Sequence, residues 1–315
     1  MLNLDAKMVA AALPIKQLIE ALNEAFASDV EVPARAHHEV SVPGGNAGIL
    51  LLMPAWRKGA NMGVKIVTVF PDNVKQGNPA MFGSYLLMSA KNGMPVALLD
   101  GTELTLRRTA AASALASTYL SRKDATKLLM VGTGNLAPHL VRAHATARPI
   151  KTVTIWGRRP DAARRLADKL SGSSLEISVA DNLEEACRDA DIVSCATLAT
   201  EPLLKGEWLT AGQHIDLVGA FTPGMAEADS LAIARADLYV DTRAGALAES
   251  GEIVQAIECG AIIETDIRGS LRDLAMRRAK GRSAVDEITL FKSVGTALED
   301  LAAAELAVRN HNNGS

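Results

Sequence analysis

Lys127-Leu-Leu-Met-Val131 runs straight into Gly132-Thr-Gly134-Asn-Leu-Ala137. A buried strand, a glycine turn and a helix start, in that order, are what a dinucleotide requires. Gly132 permits the tight turn, Gly134 lets the backbone approach a pyrophosphate, and Ala137 is small enough for the helix to pack on the strand. Thr133, Asn135 and Leu136 complete the loop, whose N–H groups at the helix start would face the anion. In an NAD-specific domain the second strand ends in an acid that takes the ribose 2′-hydroxyl, but Thr152-Val-Thr-Ile-Trp156 is followed by Gly157, Arg158 and Arg159. Two guanidiniums suit a 2′-phosphate, so NADPH is the expected cofactor and NADH the second choice. The other reading of these arginines is that they cover the start of the helix holding Asp161.

Three cations, Arg35, Lys65 and Arg108, lie in or beside apolar runs, where an unpaired charge would be costly. They call for an anionic partner. Lys65 stands inside Gly63-Val-Lys65-Ile-Val-Thr-Val, a strand that otherwise reads as core; the plainer alternative is a lysine on the outer, solvated face. Arg107 adjoins Arg108, and on a helix one of the two must face away. His37 and His38 are neighbours on a predicted strand, so they point to opposite faces and cannot together hold a metal. No metal site is expected, and Cys187, Cys195 and Cys259 are too widely spaced for a zinc site or a disulfide framework.

These residues need two platforms. About 125 residues precede the glycine turn, enough for a separate domain. Within them, helical spacing over Ala11–Phe26 predicts a leading helix with Pro14 in its first turn. Val30–Val42, Ile49–Met53, Met62–Phe70, Met81–Met88 and Val96–Asp100 read as strands of a mostly antiparallel sheet. Leu104–Leu120 follows as an Ala-rich helix with Thr102 and Thr105 as candidate caps. After the turn, Thr152–Trp156, Val179, Ile192–Ala196, His214–Val218 and Leu238–Val240 alternate with helical or loop segments, which predicts a doubly wound parallel sheet. Glu287–Val308 reads as a turn and then an Ala-rich helix returning to the first domain, and 310–315 as a frayed polar end.

The 315 residues carry 48% hydrophobic and 3% aromatic residues and a net charge of −3. That balance argues against a nucleic-acid partner and against a membrane surface, and no run approaches the ~20 apolar residues of a membrane span. A cytoplasmic location is expected.

Arg35, Leu52-Met-Pro-Ala55, Gly63-Val-Lys65, the run Asp100-Gly-Thr-Glu-Leu-Thr-Leu-Arg-Arg108-Thr-Ala-Ala, Gly132-Thr-Gly134, Val218-Gly-Ala-Phe-Thr-Pro-Gly224 and Phe291-Lys-Ser-Val-Gly295 follow one another in an order that closely resembles the ornithine cyclodeaminase and mu-crystallin family. The resemblance implies an α/β protein with a Rossmann-type doubly wound parallel sheet (119–295) for the dinucleotide. It also implies an α+β substrate and dimerisation domain, built from 1–118 and 296–315, and a homodimer. By the same resemblance Arg35, Lys65 and Arg108 would clamp a substrate carboxylate, with Lys65 the candidate proton donor. Val218, Gly219 and Ser293 would lie against the nicotinamide, and Thr197 near the ribose. The family's cyclodeaminases carry an essential Asp where this chain has Phe221, which argues against ornithine chemistry. The implied activity is therefore NAD(P)H-dependent reduction of a small cyclic imino acid: 1-pyrroline-2-carboxylate to L-proline, or 1-piperideine-2-carboxylate to L-pipecolate. Ornithine cyclodeaminase, alanine dehydrogenase and a crystallin-like ligand-binding protein are the alternatives.

Overall fold

Local periodicity divides the chain into an antiparallel part and a parallel part, and the folded units follow that division. The computed structural model describes residues 1–314, in two compact units: Met1–Arg108 with the segment from Thr296 onward, and Thr109–Gly295. The first cut falls at Arg108, where the sequence suggests 118. It lies inside one uninterrupted helix, so no break in pattern marks it.

The first unit runs β1 (Leu2–Leu4), α1 (Ala6–Ala12), α2 (Ile15–Ala27), β2 (Ala36–Val40), β3 (Gly48–Trp56), β4 (Asn61–Val69), β5 (Met81–Ser89) and β6 (Pro95–Asp100), then enters α3 (Gly101–Leu120). The expected leading helix is two helices. Pro14 disfavours helical backbone at Leu13, which takes φ −118° and ψ 68°, so α1 stops there and Pro14 becomes the N-cap of α2. Nor do Thr102 and Thr105 cap α3. Asp100, the last residue of β6, accepts the Glu103 N–H at 2.7 Å, and the Thr105 hydroxyl bonds back to the Gly101 carbonyl at 2.7 Å.

The six strands lie in the order β1-β6-β5-β4-β3-β2, antiparallel except for β1 on β6. Side chains directly opposite one another share a face. One row crosses the sheet as Met53, Lys65, Tyr85, Leu99 and Leu4, all buried. On the other face the row Pro54, Val64, Leu86 and Leu98, flanked by Leu52, Ile66, Trp56, Met62 and Met88, stays partly exposed.

The second unit contains β7 (Lys127–Val131), α4 (Ala137–Ala147), β8 (Thr152–Trp156), α5 (Pro160–Leu170), β9 (Glu176–Val179), α6 (Leu183–Asp189), β10 (Ile192–Cys195) and β11 (His214–Leu217). It continues with α7 (Ser230–Arg235), β12 (Asp237–Val240), α8 (Arg243–Glu249), α9 (Gly251–Glu258), β13 (Ile267–Ser270), α10 (Leu271–Ala275) and β14 (Thr289–Lys292). All eight strands are parallel, in the order β13-β12-β14-β11-β10-β7-β8-β9. Leu129, Val131, Val193, Cys195, Ile215, Leu217, Val240 and Leu290 form its core, as expected of strands covered on both faces. β14 corrects the sequence reading, which has a turn here. Four residues ending in lysine carry too little pattern to declare a central strand.

The chain returns to the first unit as α11 (Ala297–Asn313), which packs on α1, α2, β3, β4 and β5. Its end is not frayed as expected. Helix continues through Asn313, and the Asn310 amide donates to the Ala12 carbonyl at 2.9 Å and to Gln17 at 2.8 Å. Ser315, the last of the expected polar tail, lies outside the described residues. Among the described residues no helix is long and apolar enough to cross a membrane.

Candidate active site

Lys65 sits mid-strand on the inner face of the antiparallel sheet and is only 2% exposed, so the solvated outer-face alternative fails. Its partner comes from α11. Lys65 Nζ lies 2.8 and 3.0 Å from the two Asp300 oxygens. Arg108 reaches the same helix, with Nε 2.9 Å from Asp300 Oδ1 and Nη1 2.6 Å from Glu299 Oε2. Arg107 is the one that faces away, bonding Glu103 at 2.6 Å and the Leu13 carbonyl. Two cations and two carboxylates thus form a buried network with balanced charge, the condition under which ions tolerate burial.

Burial and then Arg108 draw the Lys65 ammonium down to about 8, against the pull of Asp300 and Glu299. Burial opposes the Asp300 charge, but Arg108 and then Lys65 hold its carboxyl below the usual range. An ammonium has three donors, and among the described residues Asp300 is the one acceptor in contact with it, so Lys65 keeps donor capacity for a ligand. Arg35 is partly buried and directly precedes β2. Ala36 pairs with Leu52, and the next residue of β3, Met53, is the register partner of Lys65. His37 and His38 are both exposed on β2.

In the second unit the expected cofactor residues all fall just beyond the C-terminal ends of parallel strands: Gly132–Leu136 after β7, Arg158 and Arg159 after β8, Thr197 after β10, Val218 and Gly219 after β11, Ser293 after β14. From β7 the chain winds outward through β8 and β9 and then crosses back to β10 on the other side, so the order reverses between β7 and β10. Open α/β sheets bind ligands at such a reversal, outside the strand ends. Gly132 takes φ +115°, and a Cβ there would stand 2.5 Å from the Ala196 carbonyl oxygen. The glycine turn therefore rests on the segment after β10. Around Gly134 a Cβ would meet nothing within 4 Å, and no side chain caps α4, which leaves an open cradle of backbone at a helix start. A pyrophosphate fits these features. Arg158 and Arg159 are exposed, directly after Gly157, which abuts Thr133 of the turn. Leu198 and Phe221 stand exposed on the loops after β10 and β11, at 67% and 49%. Ser293 is buried with its hydroxyl on Asp241, at 3.2 Å.

Sequence reasoning missed Glu299 and Asp300, whose place in the first turn of an Ala-rich helix reads as ordinary dipole compensation. It also missed Glu227. This fully buried carboxylate accepts the Thr197 N–H at 2.6 Å and the Gly219 N–H at 2.7 Å. Burial pushes it up to about 7, with Lys292 and the two N–H groups pulling against that shift and Glu252 adding to it. Among the described residues no group of three or more His, Cys, Asp or Glu side chains could hold a metal ion.

The sequence model of the ornithine cyclodeaminase/mu-crystallin family matches residues 2–315. The chain belongs to that family. Among its relatives, the Δ1-pyrroline-2-carboxylate reductase of Colwellia psychrerythraea is 39% identical over 311 residues, covering 97% of this chain and 98% of that protein. Of solved structures, Thermococcus litoralis Δ1-pyrroline-2-carboxylate reductase in complex with NADH and L-proline superposes with a TM-score of 0.93 at 35% identity, covering 100% of this chain and 98% of that one. An archaeal alanine dehydrogenase dimer with bound NAD gives 0.92 at 29% identity, covering 100% and 97%.

Proposed function

We propose that this chain is an NAD(P)H-dependent ketimine reductase that converts 1-pyrroline-2-carboxylate to L-proline, with the six-membered 1-piperideine-2-carboxylate as a further substrate. The observation that carries the reading is the full-length likeness to the Thermococcus litoralis enzyme, in complex with NADH and L-proline. The retained Lys65, Arg108 and glycine turn support it.

A cyclic ketimine becomes electrophilic at carbon once its nitrogen is protonated, and it carries a carboxylate beside the C=N bond. Lys65, drawn to about 8 and with donors to spare, is assigned the proton. Arg35 and Arg108 are assigned the carboxylate, by charge-assisted hydrogen bonds. Asp300 orients Lys65 and opposes its deprotonation. When bound, the reduced nicotinamide supplies the hydride. Gly132, Thr133, Gly134, Asn135 and Leu136 are assigned the pyrophosphate, and Thr197, Val218, Gly219 and Ser293 the ribose and nicotinamide edge. Arg158 and Arg159 are assigned the 2′-phosphate, which favours NADPH over NADH. Phe221, standing where the cyclodeaminases carry their Asp, offers an apolar wall instead of a base.

The partly exposed apolar face around Val64 supports a homodimer, since a monomer seldom leaves so continuous a patch to water. Three free cysteines fit the reducing cytoplasm. The decisive assay mixes purified protein, NADPH and 1-pyrroline-2-carboxylate and follows absorbance of the reduced cofactor. Loss of that signal with L-proline formed is expected; no loss, together with ammonia release from ornithine, refutes the reading.

A further inference from the structure

Glu227 belongs to the loop after β11, yet its carboxylate is turned back toward the C-terminal ends of β10 and β11 and is completely buried. Oε1 accepts the Thr197 N–H at 2.6 Å and the Thr197 hydroxyl at 3.0 Å; Oε2 accepts the Gly219 N–H at 2.7 Å and the Ala220 N–H at 3.4 Å. One side chain therefore ties the loop after β10 to the loop after β11. Its backbone is held in turn: the N–H donates to Glu252 Oε1 at 3.0 Å, and the carbonyl accepts from Leu203 and Leu204 at 2.9 Å each. Glu252 pairs at 3.1 Å with Lys292, the last residue of β14, so the ties extend across three neighbouring strand ends.

The spacing of the two loops is tight. A Cβ on Gly219 would overlap the Thr197 backbone and stand 2.6 Å from Glu227 Oε1, and the glycine turn at Gly132 rests against Ala196 and Thr197. Whatever sets Thr197 also sets the floor under that turn. Buried N–H groups demand an acceptor, and here a single carboxylate serves both loops.

We infer that Glu227 is a positioning residue of the dinucleotide site, holding Thr197 and Gly219 at the fixed separation on which the glycine turn rests. The inference depends on the reading that the nucleotide binds at this strand edge. Glu227 touches no reacting atom; it acts through the backbone it orders.

Glu227→Gln tests this with almost no change in shape. Whichever way the amide turns, its NH2 opposes one of the two backbone donors, so one loop loses its acceptor. Dissociation constants for NADPH and NADH are measured by nucleotide fluorescence, without turnover, on protein shown by circular dichroism to be folded, alongside the ketimine KM. Both nucleotides are expected to bind about tenfold more weakly or worse, with the ketimine KM within about twofold of wild type. Glu227→Asp keeps the charge but is one methylene shorter, too short to serve both loops at these distances, and it should weaken both nucleotides in the same way. Should Glu227→Gln not fold, this second variant decides. Unchanged nucleotide affinity in a folded variant, or equal losses in nucleotide and ketimine constants, overturns the role of Glu227 alone. A wild-type protein that binds neither nucleotide overturns the underlying site reading and the inference with it.

Discussion

Replacing Asp300 by Asn removes the carboxylate 2.8 Å from Lys65 Nζ while keeping the side chain's shape. In the wild type, burial and Arg108 draw Lys65 down to about 8 against the opposing pull of Asp300 and Glu299. Losing an opposite charge at such a distance lowers an ammonium pKa by a further 1–3 units or so, and two units correspond to about 2.7 kcal/mol. A proton donor works below its pKa and fails above it, so the rate should hold at acid pH and fall as pH rises through that value. At pH 7.5 the protonated fraction would drop from about three quarters to about 3%, roughly a 25-fold loss of kcat, and at pH 5.5 it would recover to about three quarters. The assay is the pH profile of kcat from 340 nm absorbance, with ketimine and NADPH saturating. Breaking a buried ion pair costs about 3–5 kcal/mol, so it is run where circular dichroism shows the variant folded. An alkaline limb that stays near its wild-type position, or a loss equal at every pH, refutes the assignment of Lys65 as donor under the control of Asp300.

Changing Arg158 and Arg159 to Ala together should raise KM for NADPH about 10- to 100-fold and leave NADH within about twofold, because charge-assisted bonds to a 2′-phosphate are lost; equal changes in both would make the arginines structural. Lys65→Ala should abolish turnover while a fluorescence titration still finds NADPH bound, and a near-normal rate removes Lys65 from the mechanism. Val64→Asp places a charge in the partly exposed apolar row between Pro54 and Leu86. Sedimentation is expected to report a dimer for the wild type and a monomer for the variant, and an unchanged assembly would place the interface elsewhere.

The glycine turn was legible because its evidence is local. Strand, turn and helix start are contiguous, and Gly132 does take the positive φ that the tight turn needs. Lys65 is legible for a different reason, as a charge in a stretch of mostly apolar company, which flags a burial problem without naming its solution. That solution lies 235 residues away, at Asp300, in a segment whose acids look like any helix start. β1 and β14 escaped notice because three and four residues make too short a period, and each owes its place to neighbouring strands. Pro14 on sequence alone suits a helix's first turn, yet its constraint on Leu13 splits the expected helix in two.

By itself the sequence determined most of the strands and helices, where the glycine turn lies and which cations could not be left unpaired. Those properties follow from periodicity and residue chemistry within a few positions. Only the tertiary structure decided that Asp300 and Glu299 neutralise Lys65 and Arg108, and that Glu227 joins the loops bearing Thr197 and Gly219. The reason is physical: an ion pair or a buried N–H is satisfied through space, by whichever group the fold brings within about 3 Å, and chain separation carries no record of that distance.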